Sequence, residues 1–108
     1  MTTLTSHDDH PIIQIGLLWF DPDGGADTYR EYLAASKPFM EKYLGRPFVA
    51  EGYERLATLK GDLDPDFVAI NEFPNAGAIE ALRNDPEYPR ELLRRSTTRV
   101  EIIQLRKD

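Results

Sequence analysis

The chain contains no cysteine, which excludes disulfides, thiolate nucleophiles and sulfur-ligated metals together and suits a reducing compartment, the cytoplasm. Its only two histidines, His7 and His10, fall within the first ten residues. A histidine-based triad or an axial haem ligand in the body of the fold is therefore not expected. Basic residues are also scarce: 13 Lys and Arg stand against 19 Asp and Glu, for a net charge of -6. Such a field repels phosphate backbones and anionic bilayers, so neither nucleic acid nor membrane is expected as a partner. No apolar run approaches the ~18 residues of a membrane helix, and the opening MTTLTSHDDH lacks the basic start and apolar stretch of a signal peptide. Gly24-Gly25 lacks the further glycine and lysine of a phosphate-binding loop, and no cofactor is expected.

What remains is a chain of 108 residues, 41% hydrophobic and 30% charged, the balance of a globular domain with one core. Residues 1–10 read as a flexible polar tail and residues 11–108 as a single domain. His7 and His10 lie beside Asp8 and Asp9, but tails of this kind seldom hold a fixed coordination sphere, and no metal is expected.

Residues 11–20, PIIQIGLLWF, are apolar at almost every position and end in the turn DPDGG, which predicts a strand. Ile13, Ile15, Leu17 and Trp19 fall on one face and Ile12, Leu18 and Phe20 on the other. Thr28 and Glu31 fit a capping box, and an apolar stripe from Tyr29 to Leu44 predicts a helix that contains Pro38 and stops at Gly45. Residues 47–60 read as a second, long strand interrupted at Gly52 by a bulge or close approach. Residues 67–73, FVAINEF, read as a third strand that carries Asn71 and Glu72 on opposite faces. Asn75 caps a second helix, which Asn84-Asp85-Pro86 divides into two pieces, and residues 99–107 form a fourth strand, again apolar on both sides.

The order strand, helix, strand, strand, helix, strand is that of a ferredoxin-like α+β fold: a four-stranded antiparallel sheet, first and third strands central, with helices on one face. Helices on one face leave the other uncovered, yet three strands are apolar on both, so the open face is expected to pair with a second copy as a homodimer.

The ordered series Asp21-Pro22, Tyr29, Tyr32, Lys42-Tyr43-Leu44-Gly45, Leu59-Lys60-Gly61-Asp62, Glu72-Phe73-Pro74, Asp85-Pro86-Glu87-Tyr88 and Arg95 resembles the domain-of-unknown-function 1330 proteins of the dimeric α+β barrel superfamily. The chain departs from them at Leu82, where members often carry Trp, and at Glu51-Gly52-Tyr53, where they often carry Arg-Gly-Gly. The resemblance implies the fold and the dimer; it implies no reaction. The wider superfamily is similar in shape to cofactor-free monooxygenases, muconolactone-type isomerases, haem-degrading enzymes and effector-binding modules, and shape does not choose among them.

From the residues, Glu72 is a candidate general base if its face is buried, or else a structural anchor paired with Arg95. Asn71 is a candidate oxyanion donor, and Arg95 a candidate clamp for an anionic substrate or a complement to a helix end. Trp19, Tyr29, Tyr32 and Tyr53 are candidates for an aromatic pocket, or simply core. The two functional readings are a homodimeric small-molecule-binding protein, extending to a cofactor-independent enzyme on a carbonyl or aromatic metabolite, and a non-catalytic ligand-binding or assembly module.

Overall fold

A computed structural model describes residues 10–106; His7, Asp8 and Asp9 lie outside them. The elements are β1 (Ile12–Phe20), α1 (Gly25–Leu44), β2 (Glu51–Glu54), β3 (Phe67–Phe73), α2 (Ala76–Asn84), α3 (Arg90–Ser96) and β4 (Thr97–Arg106). The antiparallel sheet has the order β2-β3-β1-β4, so the first and third strands are central as expected. No helix among the described residues is long and apolar enough to cross a membrane.

Helix α1 begins earlier than the capping box at Thr28 implies. The Asp21 side chain accepts a hydrogen bond from the Asp23 backbone N–H at 2.8 Å, and the Gly25 N–H donates to the Asp21 carbonyl. Gly24 adopts the left-handed conformation (φ 82°) that this tight turn requires, and the first helical turn follows directly. The Thr28 hydroxyl donates to the Gly24 carbonyl instead of capping a free N–H. Pro38 is accommodated inside the helix on an exposed side, where the cost is the hydrogen bond that the Ala34 carbonyl would have accepted. Gly45, at φ 69°, ends the helix as expected. At α2, Asn75 Oδ1 accepts from the Ala78 N–H at 2.9 Å, which is the expected cap.

The second strand is much shorter than the expected 47–60. Continuing the β2–β3 register places Leu56 opposite Pro65, which has no N–H for the ladder. The pairing therefore frays after Arg55, whose N–H reaches the Asp66 carbonyl at 3.4 Å, and Leu56 and Leu59 emerge almost fully exposed. At the other end Phe48 turns inward and is buried, its N–H held by the Glu41 carboxylate at 3.0 Å. Gly52 is a point of close approach: a Cβ there would stand 2.1 Å from the Phe67 ring.

The packed core occupies one end of the layer between sheet and helices. Met40 and Leu44 of α1, Phe48, Phe73 of β3, and Ile79 and Leu82 of α2 form it, flanked by Ile12, Phe39, Tyr43 and Tyr88. Burying a side chain such as Phe73 contributes roughly 1.5–3 kcal/mol. Asp85 fastens the loop after α2 to α1: it accepts from the Tyr43 hydroxyl at 2.6 Å and from the Glu87 N–H at 2.9 Å, with Lys42 at 3.6 Å. These bonds, the Tyr43 bond first, hold its carboxyl below the usual carboxylate range.

No helix among the described residues lies over the other sheet face. Its rows place Ile15 between Ile70 and Ile103, Leu17 between Val68 and Glu101, and Ile13 between Glu72 and Leu105. Ile103 and Leu105 are about half exposed in the isolated chain (54% and 47%).

Candidate functional site

Along the helix-facing side of the sheet, the cross-strand rows change character from one end to the other. Ile12 and Phe73 belong to the packed core. The next row is polar, Gln104–Gln14–Asn71; the row after it is nearly devoid of side chains at its centre, Ile102–Gly16–Ala69; the last, Val100–Leu18–Phe67, is apolar again. Helix α1 crosses above with Tyr29, Tyr32 and Ser36. Because Gly16 and Ala69 do not fill the space beneath it, a cavity of about 240 Å³ remains between sheet and helix. A Cβ added at Gly16 would meet nothing within 4 Å, so the space begins directly above this residue.

The walls are mostly apolar, with Leu18, Leu33 and Met40 beside an aromatic group of Tyr29, Tyr32 and Phe67. Tyr29 stacks on Tyr32 with ring centroids 5.6 Å apart and meets Phe67 edge-on at 5.5 Å; Phe20 lies 5.4 Å from Tyr29. Tyr32 and Tyr88 share a hydroxyl–hydroxyl hydrogen bond that ties α1 to the segment between α2 and α3. Burial, reinforced by Tyr88, pushes the Tyr29 phenol up to about 12. Burial, with Tyr88 next, likewise holds the Tyr32 phenol above the usual tyrosine range, and burial raises Tyr88. All three are neutral hydroxyls at physiological pH.

The polar groups facing the cavity are uncharged. Gln14 Oε1 accepts from Gln104 Nε2 at 3.1 Å, which leaves the Gln14 NH2 to donate elsewhere. Asn71 and the Tyr29 hydroxyl make no side-chain hydrogen bond among the described residues, and no fully buried side-chain polar atom there lacks a partner. Both groups therefore reach open space. Among the described residues, the one charged residue in the lining is Glu51, which is exposed on the edge strand β2.

The structure brings together three of the residues singled out in the sequence, Asn71, Tyr29 and Tyr32. Glu72 projects from the opposite face of β3, away from this cavity, and is exposed in the single chain. Arg95 is exposed on α3 and outside the cavity lining. It stands near Glu91, whose carboxyl is lowered first by Arg94 and less by Arg95. Trp19 belongs to the open face: its indole N–H donates to Asp64 at 3.0 Å, and the Arg99 guanidinium stacks 4.2 Å from its ring centroid. Tyr53 is exposed on β2 and donates to Glu51 at 3.1 Å. The residues that sequence reasoning missed are Gln14, Gly16 and Ser36. Gln14 and Gly16 are the one polar and the one side-chain-free position in an otherwise apolar strand, two apart and therefore on one face, which is the signal that points to them.

The fold and the helix-covered cavity define the class: an α+β protein of the ferredoxin-like type, with one four-stranded sheet and helices on one side. It is similar to a protein of unknown function from Rhodopseudomonas palustris, with a TM-score of 0.73 and 24% identity over 98% of this chain and 89% of that one. A dimeric ferredoxin-like protein of unknown function from Jannaschia sp. superposes with a TM-score of 0.72 and 14% identity, over 88% of this chain and 97% of the other. Another so described, from Thermobifida fusca, gives 0.62 and 16% over 91% and 92%. At these identities the likeness is one of fold. Residues 25–106 match the model of the family described as Domain of unknown function (DUF1330), and the chain belongs to that family. A search among curated proteins finds no match.

Proposed function

We propose that this protein is a homodimeric small-molecule-binding protein, in which the uncovered sheet face joins two copies and the cavity beneath α1 holds the ligand. The observation that carries this reading is the cavity itself: about 240 Å³ left open above Gly16 between the sheet and α1, with Tyr29, Tyr32 and Phe67 in its wall and with the Asn71 amide and Tyr29 hydroxyl facing it unpaired. Pockets of this make-up, mostly apolar with a few placed polar groups, are where small ligands bind. The pairing is supported by the isoleucine row Ile70–Ile15–Ile103 on the open face and by the description of two similar structures as dimeric. Glu72 and Asn71 lie on opposite faces of β3, which favours binding over proton abstraction by Glu72 at this cavity.

A thermal-shift screen of neutral and charged aromatic and carbonyl metabolites tests the reading, run in parallel on the wild type and Gly16→Leu. A ligand at ~100 times its dissociation constant adds about 2.7 kcal/mol, a shift of several degrees. Hits on the wild type that Gly16→Leu abolishes are expected; hits unaffected by Gly16→Leu, or none across the library, would contradict it.

A further inference from the structure

The cavity also states what kind of molecule it takes. A ligand beneath α1 meets the Gln14 amide, the Asn71 amide and the Tyr29 hydroxyl, and among the described residues no Lys, Arg, His or Asp lines the space. A carboxylate or phosphate there would be desolvated with no counter-charge, and would face Glu51 at the rim; an ammonium would lose its water for neutral dipoles only. Charged metabolites are thus disfavoured in either sign. Arg95, the cation that would clamp an acid, lies outside the lining.

The Ser36 hydroxyl donates to the Leu33 carbonyl and the Tyr32 hydroxyl is shared with Tyr88, so the other three uncharged polar groups set the ligand's own polar end. With Gln14 Oε1 occupied by Gln104, Gln14 presents N–H; Tyr29 presents a neutral O–H; Asn71, on the strand position directly opposite Gln14, presents both N–H and C=O. Two adjacent donors converging from neighbouring strands suit an acceptor with two lone pairs, a carbonyl oxygen. The remainder of the space lies over Gly16 and Ala69, between Phe67 and the stacked Tyr29–Tyr32 pair, and suits a flat ring. A cavity of 150 Å³ accepts benzene, so 240 Å³ corresponds to on the order of ten non-hydrogen atoms, one substituted ring or two fused ones.

We infer that the ligand is an uncharged cyclic carbonyl compound of this size, its carbonyl oxygen held by Gln14 and Asn71 and its ring seated on Gly16 and Ala69 against Tyr29. This inference rests on the proposed binding role of the cavity, and the probes below separate the two. 1-Indanone, indane, indane-1-carboxylate and protonated 1-aminoindane share one ring system and differ in polar group and charge. Their dissociation constants for the wild type, Gln14→Leu, Asn71→Leu and Gly16→Leu are to be measured by ligand-observed NMR. 1-Indanone is expected to bind roughly tenfold more tightly than indane, the margin of one to two hydrogen bonds, and both Leu variants at the amides are expected to erase most of that margin. The two charged analogues are expected to bind at least ~100-fold more weakly, as unpaired buried charges. Gly16→Leu is expected to abolish binding of all four. If a charged analogue binds as well as 1-indanone and Gly16→Leu removes it, the cavity is a binding site and the inferred ligand class is wrong. If no probe binds, or Gly16→Leu changes nothing, the binding role falls and this inference with it.

Discussion

Raising the pH tests the aromatic wall of the cavity. Burial pushes the Tyr29 phenol up to about 12 from an ordinary value near ~10, and Tyr32 and Tyr88 are raised by burial as well. A group whose value is raised by folding contributes its stability in full below the ordinary value, and that stability is lost as the pH climbs from there through the folded value. For Tyr29, about 5% exposed, two units correspond to about 2.7 kcal/mol, lost between pH ~10 and ~12. Tyr32 and Tyr88, raised by burial as well, steepen the loss in the same direction. The assay follows phenolate absorbance and far-ultraviolet circular dichroism on the same alkaline titration. The phenols of Tyr29, Tyr32 and Tyr88 are expected to ionise only in the cooperative step in which the dichroism collapses, and Tyr29→Phe is expected to move that step to higher pH. Smooth ionisation of all five tyrosines near pH 10 with the fold intact would refute the burial on which the cavity rests.

Three further outcomes follow from particular contacts. The Asp85 carboxyl is lowered by its bonds to Tyr43 and Glu87 and by Lys42, so its stabilisation is present above the ordinary carboxylate value and lost as the pH falls through the lower folded one. The melting temperature is expected to drop below pH ~4, and Asp85→Asn to flatten that acid limb; an unchanged limb would count against the contact. Gly25→Ala would place a Cβ 2.4 Å from the Ser96 carbonyl oxygen, which already accepts the Asp21 N–H, and is expected to cost about 1–3 kcal/mol in chemical denaturation; no loss would show that α1 and α3 are not in contact there. Gly16→Leu, by contrast, enters open space and is expected to leave the melting temperature unchanged or raised, whereas a large fall would mean that the cavity is not there.

The identity of the two central strands was legible from the order of elements, since helices returning over one face put the first and third strands in the middle; the apolar run of β4, an edge strand, does not by itself distinguish it from them. The limits of α1 and β2 were not legible, for local reasons. The Asp21 turn and the left-handed Gly24 start α1 before the better-looking cap at Thr28. Pro65 ends β2 from across the ladder, a pairing that residues 47–60 do not themselves contain. The site was half legible. Asn71, Tyr29 and Tyr32 stand out as unusual strand or helix residues, whereas Glu72 and Trp19 stand out equally and face away, since chemical type does not reveal which sheet face a helix will cover. Gly16 matters for what it lacks, and a missing side chain becomes a cavity only once α1 is placed above it.

The most direct test of the account is the mass of the protein in solution, measured by size exclusion with light scattering at micromolar concentration on the wild type and on Ile15→Asp. Ile15 sits between Ile70 and Ile103 on the open face, so a two-fold dimer through that face would bury the new carboxylate twice without a partner. The wild type is expected at twice the chain mass and Ile15→Asp at the mass of one chain with unchanged dichroism; a monomeric wild type, or an Ile15→Asp variant that remains a dimer, would contradict pairing through the open sheet face.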